Sequence, residues 1–410
     1  TINEAIAASM GHPVVFQSIM AYLVTGAMQY YGVAEFVARW IISRKCFRGR
    51  PMVFTYAYFL AFTFVCIIIN SVAMIFLGWT ILYGVYRMTG YKRGDKYVTL
   101  SLIGLVLSFM MGGAVVPFRS WQYSLVMQYG EAAGIEINFA VFMAVGAIIT
   151  FGTITLYTLA MKYVFKTDFS KLRDFDPQSL KSEYAHMNKR QTIVLVVNAV
   201  VIGVILLASI VPSSSFIYEF FNNTLSTAGI YGIGAIALCL IPLNKKRQPL
   251  IEFFDVAAFS MRWEVILMVG ATMAVASAVI SEQSGLLAFA STALGPLFVG
   301  KGPIGVLLIV ILLSALLTNI GSNIGFGALL IPMVTPFLAP TGSNPVVVGI
   351  ALIYVVNMGL ILPGASAPAA IIHSNTEWMD SKEIYKVLCF SMALTLLVAI
   401  PTLVVANAIV

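Results

Sequence analysis

Charged residues are scarce in this sequence. Only 10% of the 410 residues are Asp, Glu, Lys or Arg, whereas 60% are hydrophobic and the mean hydropathy is +0.93. Soluble globular proteins carry about 25% charged residues, and a chain this apolar cannot surround one core and still present a polar surface. The composition therefore excludes a soluble enzyme, a disordered protein and a nucleic-acid-binding protein.

Side chains that commonly carry catalysis or bind metal ions are few as well. The four cysteines form no CxxC pair, which favours reduced packing residues over a disulfide or a metal site. The three histidines form no HExxH motif, and all six aspartates lie outside the long apolar stretches. These absences exclude a zinc metalloprotease and a membrane aspartyl protease. A dyad of Ser366 and His373 is the one enzymatic alternative.

Long apolar stretches make up most of the chain. A membrane-spanning helix needs about 20 apolar residues, and the period-two alternation of a β-barrel strand is not seen. The sequence therefore predicts an all-α polytopic membrane protein that lies in a bilayer of the bacterial inner-membrane or plasma-membrane type.

The positions of Lys and Arg predict the topology. They form five clusters, within residues 44–50, 87–96, 162–190, 245–262 and 382–386. If every apolar stretch crossed once, the first two clusters would lie on opposite faces, whereas basic residues are normally kept in cytoplasmic loops. All five share one face if residues 53–84 and 304–338 each enter and leave on the same side. The sequence thus predicts two re-entrant hairpins, cytoplasmic basic loops and an outside C-terminus, and the net charge of +7 marks the cytoplasmic face.

The alternative is that each long stretch is one tilted helix. Residues 53–83 would then measure about 46 Å at 1.5 Å per residue, against a hydrocarbon core of about 30 Å. Non-helical backbone at membrane depth is tolerated only where it is buried in protein or lines a cavity. The polar hairpin tips, at Asn70 and Asn323, are therefore predicted functional sites.

Corresponding residues of the two hairpin regions are separated by a constant spacing, which indicates an internal repeat. Asn70 and Asn323 are separated by 253 residues, and at the same shift Gly112 meets Ala365, each in an apolar stretch interrupted by Gly and Pro. Interrupted segments at corresponding positions of two halves are the best sequence pointer to a transporter's binding site. Because equivalent segments start on opposite faces, the predicted repeat is inverted. Residues 193–242 hold two further apolar stretches, so the repeat predicts about two further helices before residue 14.

These predictions divide the chain into ten segments. They are a first-repeat entry helix 1–43, a cytoplasmic-side hairpin 53–84, a broken helix 97–128, a scaffold helix 137–165, a cytoplasmic loop 166–191, two scaffold helices 192–243, an interfacial arm with the second entry helix 250–290, an outer-side hairpin 304–338, a broken helix 345–376 and a last helix 385–410.

Two motifs in the second half are similar to those of a known family. Thr318-Asn319-Ile320-Gly321-Ser322-Asn323 lies at the second hairpin tip, and Pro363-Gly364-Ala365-Ser366-Ala367-Pro368 interrupts the second broken helix. With the order of hairpin and broken helix in both halves, they make nearly the whole chain resemble the divalent anion–sodium symporter family of the ion transporter superfamily. The resemblance implies an elevator-type secondary transporter, usually a homodimer, that binds Na⁺ and a carboxylate between hairpin tips and helix breaks.

The resemblance also implies site residues. The implied substrate-binding residues are Asn70, Ser71, Arg119, Ser322, Asn323 and Ser366. The implied Na⁺ ligands are Asn70, Gly112, Thr318, Ser322, Asn323 and the carbonyl of Ala365. The family's Ser-Asn-Thr triplet has lost a hydroxyl at both tips, and the second tip, Ser322-Asn323-Ile324, matches a Na⁺ site better than the first. Independently, half-helix N-termini point partial positive charge at an anion, and freed carbonyls coordinate Na⁺.

A few ionisable residues lie inside or beside apolar stretches. Arg39 follows Glu35 by one helical turn, which predicts a structural ion pair. Arg119 follows directly on a helix break, which makes it a candidate ligand for a substrate carboxylate, with a snorkelling or structural role as the alternative. His373 and Glu377 are interpreted as an interfacial pair rather than a proton-coupling pair.

Other transport mechanisms are alternatives to a Na⁺-coupled carrier. A channel is disfavoured because there is no charged ring or repeated filter. A sodium/proton antiporter and a sodium-independent anion exchanger of the same superfamily are the remaining alternatives. An antiporter usually needs a titratable acid at the membrane centre, and the only acid well inside an apolar stretch is Glu35.

Overall fold

The computed structural model describes residues 6–410 apart from residues 8, 70–71, 119, 181–185, 213–214, 281–284, 286–288, 290–291 and 293–294; for residues 120, 222–223 and 275–280 it describes the backbone alone. Among the described residues there is no strand, and Pro242 and Pro249 form an isolated β-bridge. Six described helices are long and apolar enough to cross a membrane, or seven if a pair bent by 65° is one span. The prediction of an all-α polytopic membrane protein is confirmed.

The first half of the chain holds helices α1 to α7. They are α1 (Pro13–Tyr30), α2 (Val33–Ile42), α3 (Pro51–Ile68), α4 (Ala73–Thr89), α5 (Lys96–Ala114), α6 (Ser120–Ala133) and α7 (Phe139–Tyr163). The predicted entry helix is thus divided into α1 and α2, because Gly32 adopts a left-handed φ of 68° between them. On α2 the predicted ion pair is confirmed: Arg39 Nε lies 2.8 Å from Glu35 Oε1.

The second half of the chain holds helices α8 to α16. They are α8 (Lys189–Ile210), α9 (Ser226–Leu240), α10 (Phe253–Ser260), α11 (Trp263–Ile280), α12 (Pro303–Ile320), α13 (Asn323–Val334), α14 (Pro345–Val355), α15 (Ala367–Ser374) and α16 (Ser381–Ile409). Local sequence explains where several helices begin. Proline lies in the first turn of α12 and α14, where its missing N–H costs nothing because a first-turn N–H has no acceptor within the helix. Asn188 and Gln191 form a capping box on α8.

The loops that carry the basic clusters meet at one end of the molecule, here called the basic end. Lys171 Nζ lies 2.8 Å from Asp95 Oδ2, and Lys96 Nζ donates to the Phe165 carbonyl at 3.0 Å. The loop before α16 joins them, because the rings of Trp378 and Tyr83 stack with centroids 4.9 Å apart. The turns Lys45–Phe47 and Pro177–Leu180 and the contact of Arg190 with the Pro249 carbonyl complete this end.

The opposite end, here called the acidic end, is held by contacts among Glu-bearing loops. Tyr218 donates to Glu136 Oε2 at 2.6 Å, and this hydrogen bond, with burial, raises the pKa of Tyr218 to about 12. Asn138 donates to the Ser209 carbonyl at 2.8 Å. His12 Nε2, at the start of α1, lies 3.6 Å from Glu131 Oε1, so α1 runs from the acidic end towards the basic end.

Two helix pairs enter the fold from these opposite ends. The first hairpin, α3 and α4, starts beside Arg50 and ends at Gly90, whose carbonyl accepts from Lys171 at the basic end. The second hairpin, α12 and α13, is closed at the other end, where Phe298 and Phe337 stack with centroids 4.6 Å apart.

Two interrupted helices pack against the hairpins. The first consists of α5, which ends at Ala114, and α6, which begins at Ser120; the second consists of α14, the turn Val356–Met358 and α15, with the break at residues 359–366. The helix before the first break ends at Ala114 and the turn before the second break ends at Met358, 244 residues later, so the constant shift of 253 fails there. Gly112 lies in the last turn of α5, whereas Ala365 lies at the far end of the second break, and the predicted equivalence of these two residues is wrong.

Candidate functional site

A cavity of about 580 Å³ lies where the hairpin tips and helix breaks meet. Ile69 and Val72 line it from the first tip, Ser322 and Asn323 from the second, and Ser366 from the second break. The two hairpins enter from opposite ends and both tips reach this one cavity. Re-entrance of the hairpins stays a prediction, and a cavity is the surrounding that non-helical backbone needs inside a membrane.

Four helices begin at this cavity. Lining residues include Ala73 at the start of α4, Trp121 in the first turn of α6, Asn323 at the start of α13 and Ala367 at the start of α15. The N–H groups of a helix's first turn have no acceptor within the helix, and together with the helix dipole they place partial positive charge at each such end. These helix starts offer an anion partial positive charge from the backbone, while the C-terminal ends of α3 and α12 at the same tips leave carbonyl oxygens that suit a cation.

Two serines cap the half-helices of the second hairpin and second break. Ser322 Oγ accepts from the Gly325 N–H at 3.4 Å, and Ser366 Oγ accepts from the Ala369 N–H at 3.2 Å. Ser366 also donates to the Gly359 carbonyl at 2.6 Å. Each hydroxyl thus holds a helix start in place at the edge of the cavity.

Behind the second tip, oxygens of Thr318, Asn323 and Val356 form a group that we call the oxygen cluster. Thr318 Oγ1 lies 2.8 Å from Asn323 Oδ1 and 2.5 Å from the Val356 carbonyl oxygen. A hydroxyl has one hydrogen, so it donates to one of these two acceptors at a time. A Cβ at Gly359 would lie 2.3 Å from Asn323 Oδ1 and 2.5 Å from the Thr318 carbonyl oxygen, so only glycine lets the second break approach this closely.

Asn319 holds the second break against the second hairpin. Its Oδ1 accepts from the N–H groups of Leu360 and Ile361 at 3.0 and 2.8 Å, and its Nδ2 donates to the Ala315 carbonyl at 2.8 Å. These bonds use both lone pairs of Oδ1 and one of the two Nδ2 hydrogens, so Asn319 offers no oxygen to a cation and its role is to position the site.

The first half repeats the close approach without the same oxygens. A Cβ at Gly112 would lie 2.5 Å from the Thr63 carbonyl oxygen and 3.1 Å from Cys66 Cβ. The Thr63 hydroxyl donates back to the Phe59 carbonyl of its own helix at 2.9 Å. Gly112 is therefore explained by packing between α3 and α5.

Apart from Gly112, the predicted site residues divide into three groups. Ser322, Asn323, Ala365 and Ser366 line the cavity. Thr318 lies fully buried behind Asn323. Asn70, Ser71 and Arg119 lie outside the described residues, so their predicted roles stay predictions.

The His373 ring is hydrogen-bonded neither to Glu377, its predicted partner, nor to Ser366, its partner in the enzymatic alternative. Its Nε2 is 2.9 Å from the Ile361 carbonyl oxygen, and the ring packs against Tyr385 with centroids 4.8 Å apart. The predicted pair with Glu377 is therefore wrong, and the hydroxyl of Ser366 is directed at Gly359 instead of at His373.

Some lining residues were missed by sequence reasoning. Asn357 and Gln122 line the cavity, and both are amides inside apolar stretches, the same signal that singled out Asn323. Arg262, at the bend between α10 and α11, also lines it and pairs with Glu264, Nε to Oε1 2.5 Å. The Val356 carbonyl carries no signal in the sequence, because its position depends on the break.

The cavity extends along α1 towards the basic end. Ser18, Tyr22, Thr25 and Gln29 follow one face of this helix and line the cavity. Arg262 lines it as well, from the loop region that carries basic residues.

Comparison with known proteins gives one family and two similar proteins. A family model described as "Citrate transporter" matches residues 1–336. The sodium-dependent dicarboxylate transporter SdcS of Staphylococcus saprophyticus is 23% identical over 387 residues, which cover 90% of this chain and 72% of SdcS. The crystal structure of the YdaH transporter of Alcanivorax borkumensis superposes with a TM-score of 0.66 at 16% identity, over 97% of this chain and 86% of that chain, and shows a shared fold.

Proposed function

Because this chain belongs to the citrate transporter family, we propose that it is a secondary active transporter that moves a small carboxylate or another anion together with Na⁺. The observation that carries the proposal is that four helix N-termini and the oxygen cluster meet at one cavity between two hairpin tips. Members of a transporter family are not enzymes, and the directions of the Ser366 and His373 side chains agree with that.

The anion is proposed to bind at the helix starts. Ser322, Asn323 and Ser366 line the cavity beside the N-termini of α13 and α15, where N–H groups and dipoles favour a carboxylate. Asn70, Ser71 and Arg119 are proposed to complete this site from the first half. The resemblance to the symporters supports this part of the proposal.

Na⁺, as a transported ion, is proposed to bind at the oxygen cluster. The side-chain oxygens of Thr318 and Asn323 and the carbonyls of Thr318 and Val356 offer oxygen donors alone, which suits a hard cation. A cation among them would satisfy the acceptor that the single Thr318 hydrogen leaves without a donor. Ser322 and the Ala365 carbonyl are the remaining predicted ligands. A first Na⁺ site at Asn70 and Gly112 is the weaker part of the proposal, because Gly112 is already explained by packing.

The proposed mechanism is alternating access by an elevator movement. Na⁺ binds first and orders the second tip, the anion then binds between the tips, and the hairpins with their broken helices move as a unit past a fixed scaffold in a homodimer. The cavity that extends along α1 towards the basic end supports access from that side, which the basic residues mark as cytoplasmic. The C-terminus of α16 is then outside the cell.

Thermal unfolding of the purified full chain tests the proposal, since a ligand that binds only the folded state raises the Tm. We expect Na⁺ to raise the Tm where K⁺ does not, and an anion from a panel of citrate, succinate, sulfate and other carboxylates to raise it further only with Na⁺. An effect of anion without any effect of Na⁺ would indicate a sodium-independent exchanger. No effect of either ion would contradict the proposed function.

Asn323→Ala is the matched variant for this test. It removes an oxygen of the cluster, so the Na⁺ effect on the Tm and Na⁺-dependent uptake should both be lost while the protein still folds. Asn375→Ala is the control, because Asn375 donates to the Tyr83 hydroxyl at the basic end, away from the cavity. Unchanged uptake in Asn323→Ala would contradict the site assignment.

A further inference from the structure

The bend between α10 and α11 packs against α1 near the basic end. The rings of Phe259 and Tyr30 meet with centroids 5.5 Å apart. A Cβ at Gly26 would lie 2.1 Å from Ser260 Cβ, so only glycine lets α10 end this close to α1. This contact holds Ser260 and Arg262 in the cavity wall, towards the basic end.

Ser260 and Arg262 both have hydrogen-bond donors without an acceptor. Ser260 is 7% exposed, and its hydroxyl has no hydrogen-bond partner within the described part of the chain. The Arg262 guanidinium uses Nε for Glu264, and no other hydrogen bond or ion pair joins it to a described residue. A buried hydroxyl without a partner is costly, and the fork of a guanidinium matches a carboxylate. A carboxylate in this part of the cavity would supply the missing acceptors.

A helix start adds positive charge at the same place. α11 begins at Trp263, directly after Arg262, and Val265 in its first turn lines the cavity. Glu264 lies in this first turn, where an acidic side chain interacts favourably with the helix dipole. Glu264 is therefore an internal carboxylate that meets both the helix start and the Arg262 guanidinium.

We infer that Ser260, Arg262 and the start of α11 form a second anion site, here called the entry site, where a carboxylate of the transported anion binds on its way between solution and the tips. Glu264 competes with that carboxylate for Arg262. The inference rests on the proposed function and adds a step to it. The Arg262 side chain is about half exposed, so an anion in solution can reach it. Polar residues of α1 continue along the same cavity from this site: Ser18, Tyr22, Thr25 and Gln29.

The first test changes the two charges of the bend separately. Na⁺-dependent uptake of labelled citrate and succinate is measured in inside-out vesicles, whose basic end faces the medium in the proposed topology. Arg262→Gln should raise the KM for the anion about threefold or more, because a charge at the rim mainly affects capture. Glu264→Gln should lower the KM, because it frees the guanidinium. In right-side-out vesicles neither KM should change as much.

The contrary outcomes separate this inference from the proposed function. An ion pair that only stabilises the bend would make both variants change the KM in the same direction, which would overturn the entry site and leave the transporter in place. Opposite shifts confined to right-side-out vesicles would also overturn it, because the site would then serve the other face. If the unmodified chain took up neither anion with Na⁺, the proposed function would fail for carboxylates together with the inference.

A pair of hydroxyl deletions gives the second test. Ser260 and Thr153 are both buried and have hydroxyls without a partner within the described residues, but only Ser260 is among the cavity lining. Because an unpartnered buried hydroxyl does not stabilise the fold, Ser260→Ala and Thr153→Val should both keep the Tm. Ser260→Ala should raise the KM in inside-out vesicles about threefold, and Thr153→Val should leave it unchanged. An equal KM in the two variants would contradict a contact between Ser260 and the anion.

Discussion

The two hairpins pack against their interrupted helices in the same way, but the threonine hydroxyls at the two contacts make different hydrogen bonds. In each half a glycine of the interrupted helix lies against a threonine carbonyl of the hairpin: Gly112 against Thr63 and Gly359 against Thr318. The Thr63 hydroxyl bonds within its own helix, whereas the Thr318 hydroxyl is directed at Asn323 and the second break. Close approach of a glycine to the hairpin is therefore common to both halves. The second half differs because the Thr318 hydroxyl bonds to oxygens outside its own helix.

The largest expected difference between the halves comes from the two glycines. Gly359→Ala places a Cβ 2.3 Å from Asn323 Oδ1, so it should abolish the Na⁺ effect on the Tm as well as destabilise the fold. Gly112→Ala meets the Thr63 carbonyl oxygen at 2.5 Å and should cost about 1–3 kcal/mol of stability by overpacking, with the Na⁺ effect kept. Na⁺ titrations of both variants, after size-exclusion chromatography to select folded protein, measure this. Loss of the Na⁺ effect in both would show that the halves share the cation chemistry.

The threonine pair gives the next largest effect, without steric change. Thr318→Val removes one oxygen of the cluster and should weaken Na⁺ binding at least tenfold, about 1.4 kcal/mol. Thr63→Val removes a hydrogen bond inside a helix and should change the Na⁺ midpoint less than twofold, with a stability cost of about 0.5–1.5 kcal/mol. The Na⁺ midpoints of the two variants are measured by thermal titration. Equal midpoints would contradict the proposal that only the second hairpin binds Na⁺ through its threonine.

A smaller effect is expected where the second break is attached. Asn319→Leu removes the acceptor of the Leu360 and Ile361 N–H groups. Two unpaired buried donors cost about 1–3 kcal/mol each, so the Tm should fall. Anion binding should weaken with it, because the start of α15 loses its anchor, while some Na⁺ effect remains. If this variant lost Na⁺ binding as completely as Asn323→Ala, Asn319 would be a ligand instead of a positioning residue.

The smallest effect is expected on α2, which leads into the first hairpin. The Glu35–Arg39 pair is partly exposed, and such pairs contribute about 0–1 kcal/mol. Glu35→Gln should therefore leave uptake and its pH profile almost unchanged. If uptake by Glu35→Gln in proteoliposomes were lost or had a shifted pH profile, the antiporter alternative would be favoured. Glu35 in the first half would then take part in transport.

Placement of the charges predicted much of this architecture. Sorting Lys and Arg to one face required residues 53–84 and 304–338 to turn back, and the structure has helix pairs there. An amide side chain inside an apolar stretch indicates a polar site, and this signal points to Asn323. The same signal points to Asn357 and Gln122, which also line the cavity. It holds because burying an unpaired amide is costly whatever the fold.

What could not be predicted depends on lengths and on backbone atoms. The spacing from the tip asparagine to the packed glycine is 42 residues in the first half (70 to 112) and 36 in the second (323 to 359), so a constant shift could not align Gly112 with its structural counterpart, Gly359. The Val356 carbonyl is chemically like every other backbone carbonyl. It becomes a candidate ligand only because the helix ends beside it, which the sequence does not reveal. Arg262 reaches the cavity only because α10 and α11 meet at 65°, an angle set by tertiary packing.

The helix starts at the cavity have one more consequence. Their partial positive charge belongs to peptide groups, which take up and release no proton at physiological pH. For the proposed anion site, a side-chain substitution that leaves the helix starts in place should change which anion binds before it removes the attraction for an anion. Acidity of the medium acts on such a site mainly through the cargo, whose own ionisation decides whether there is a charge to attract.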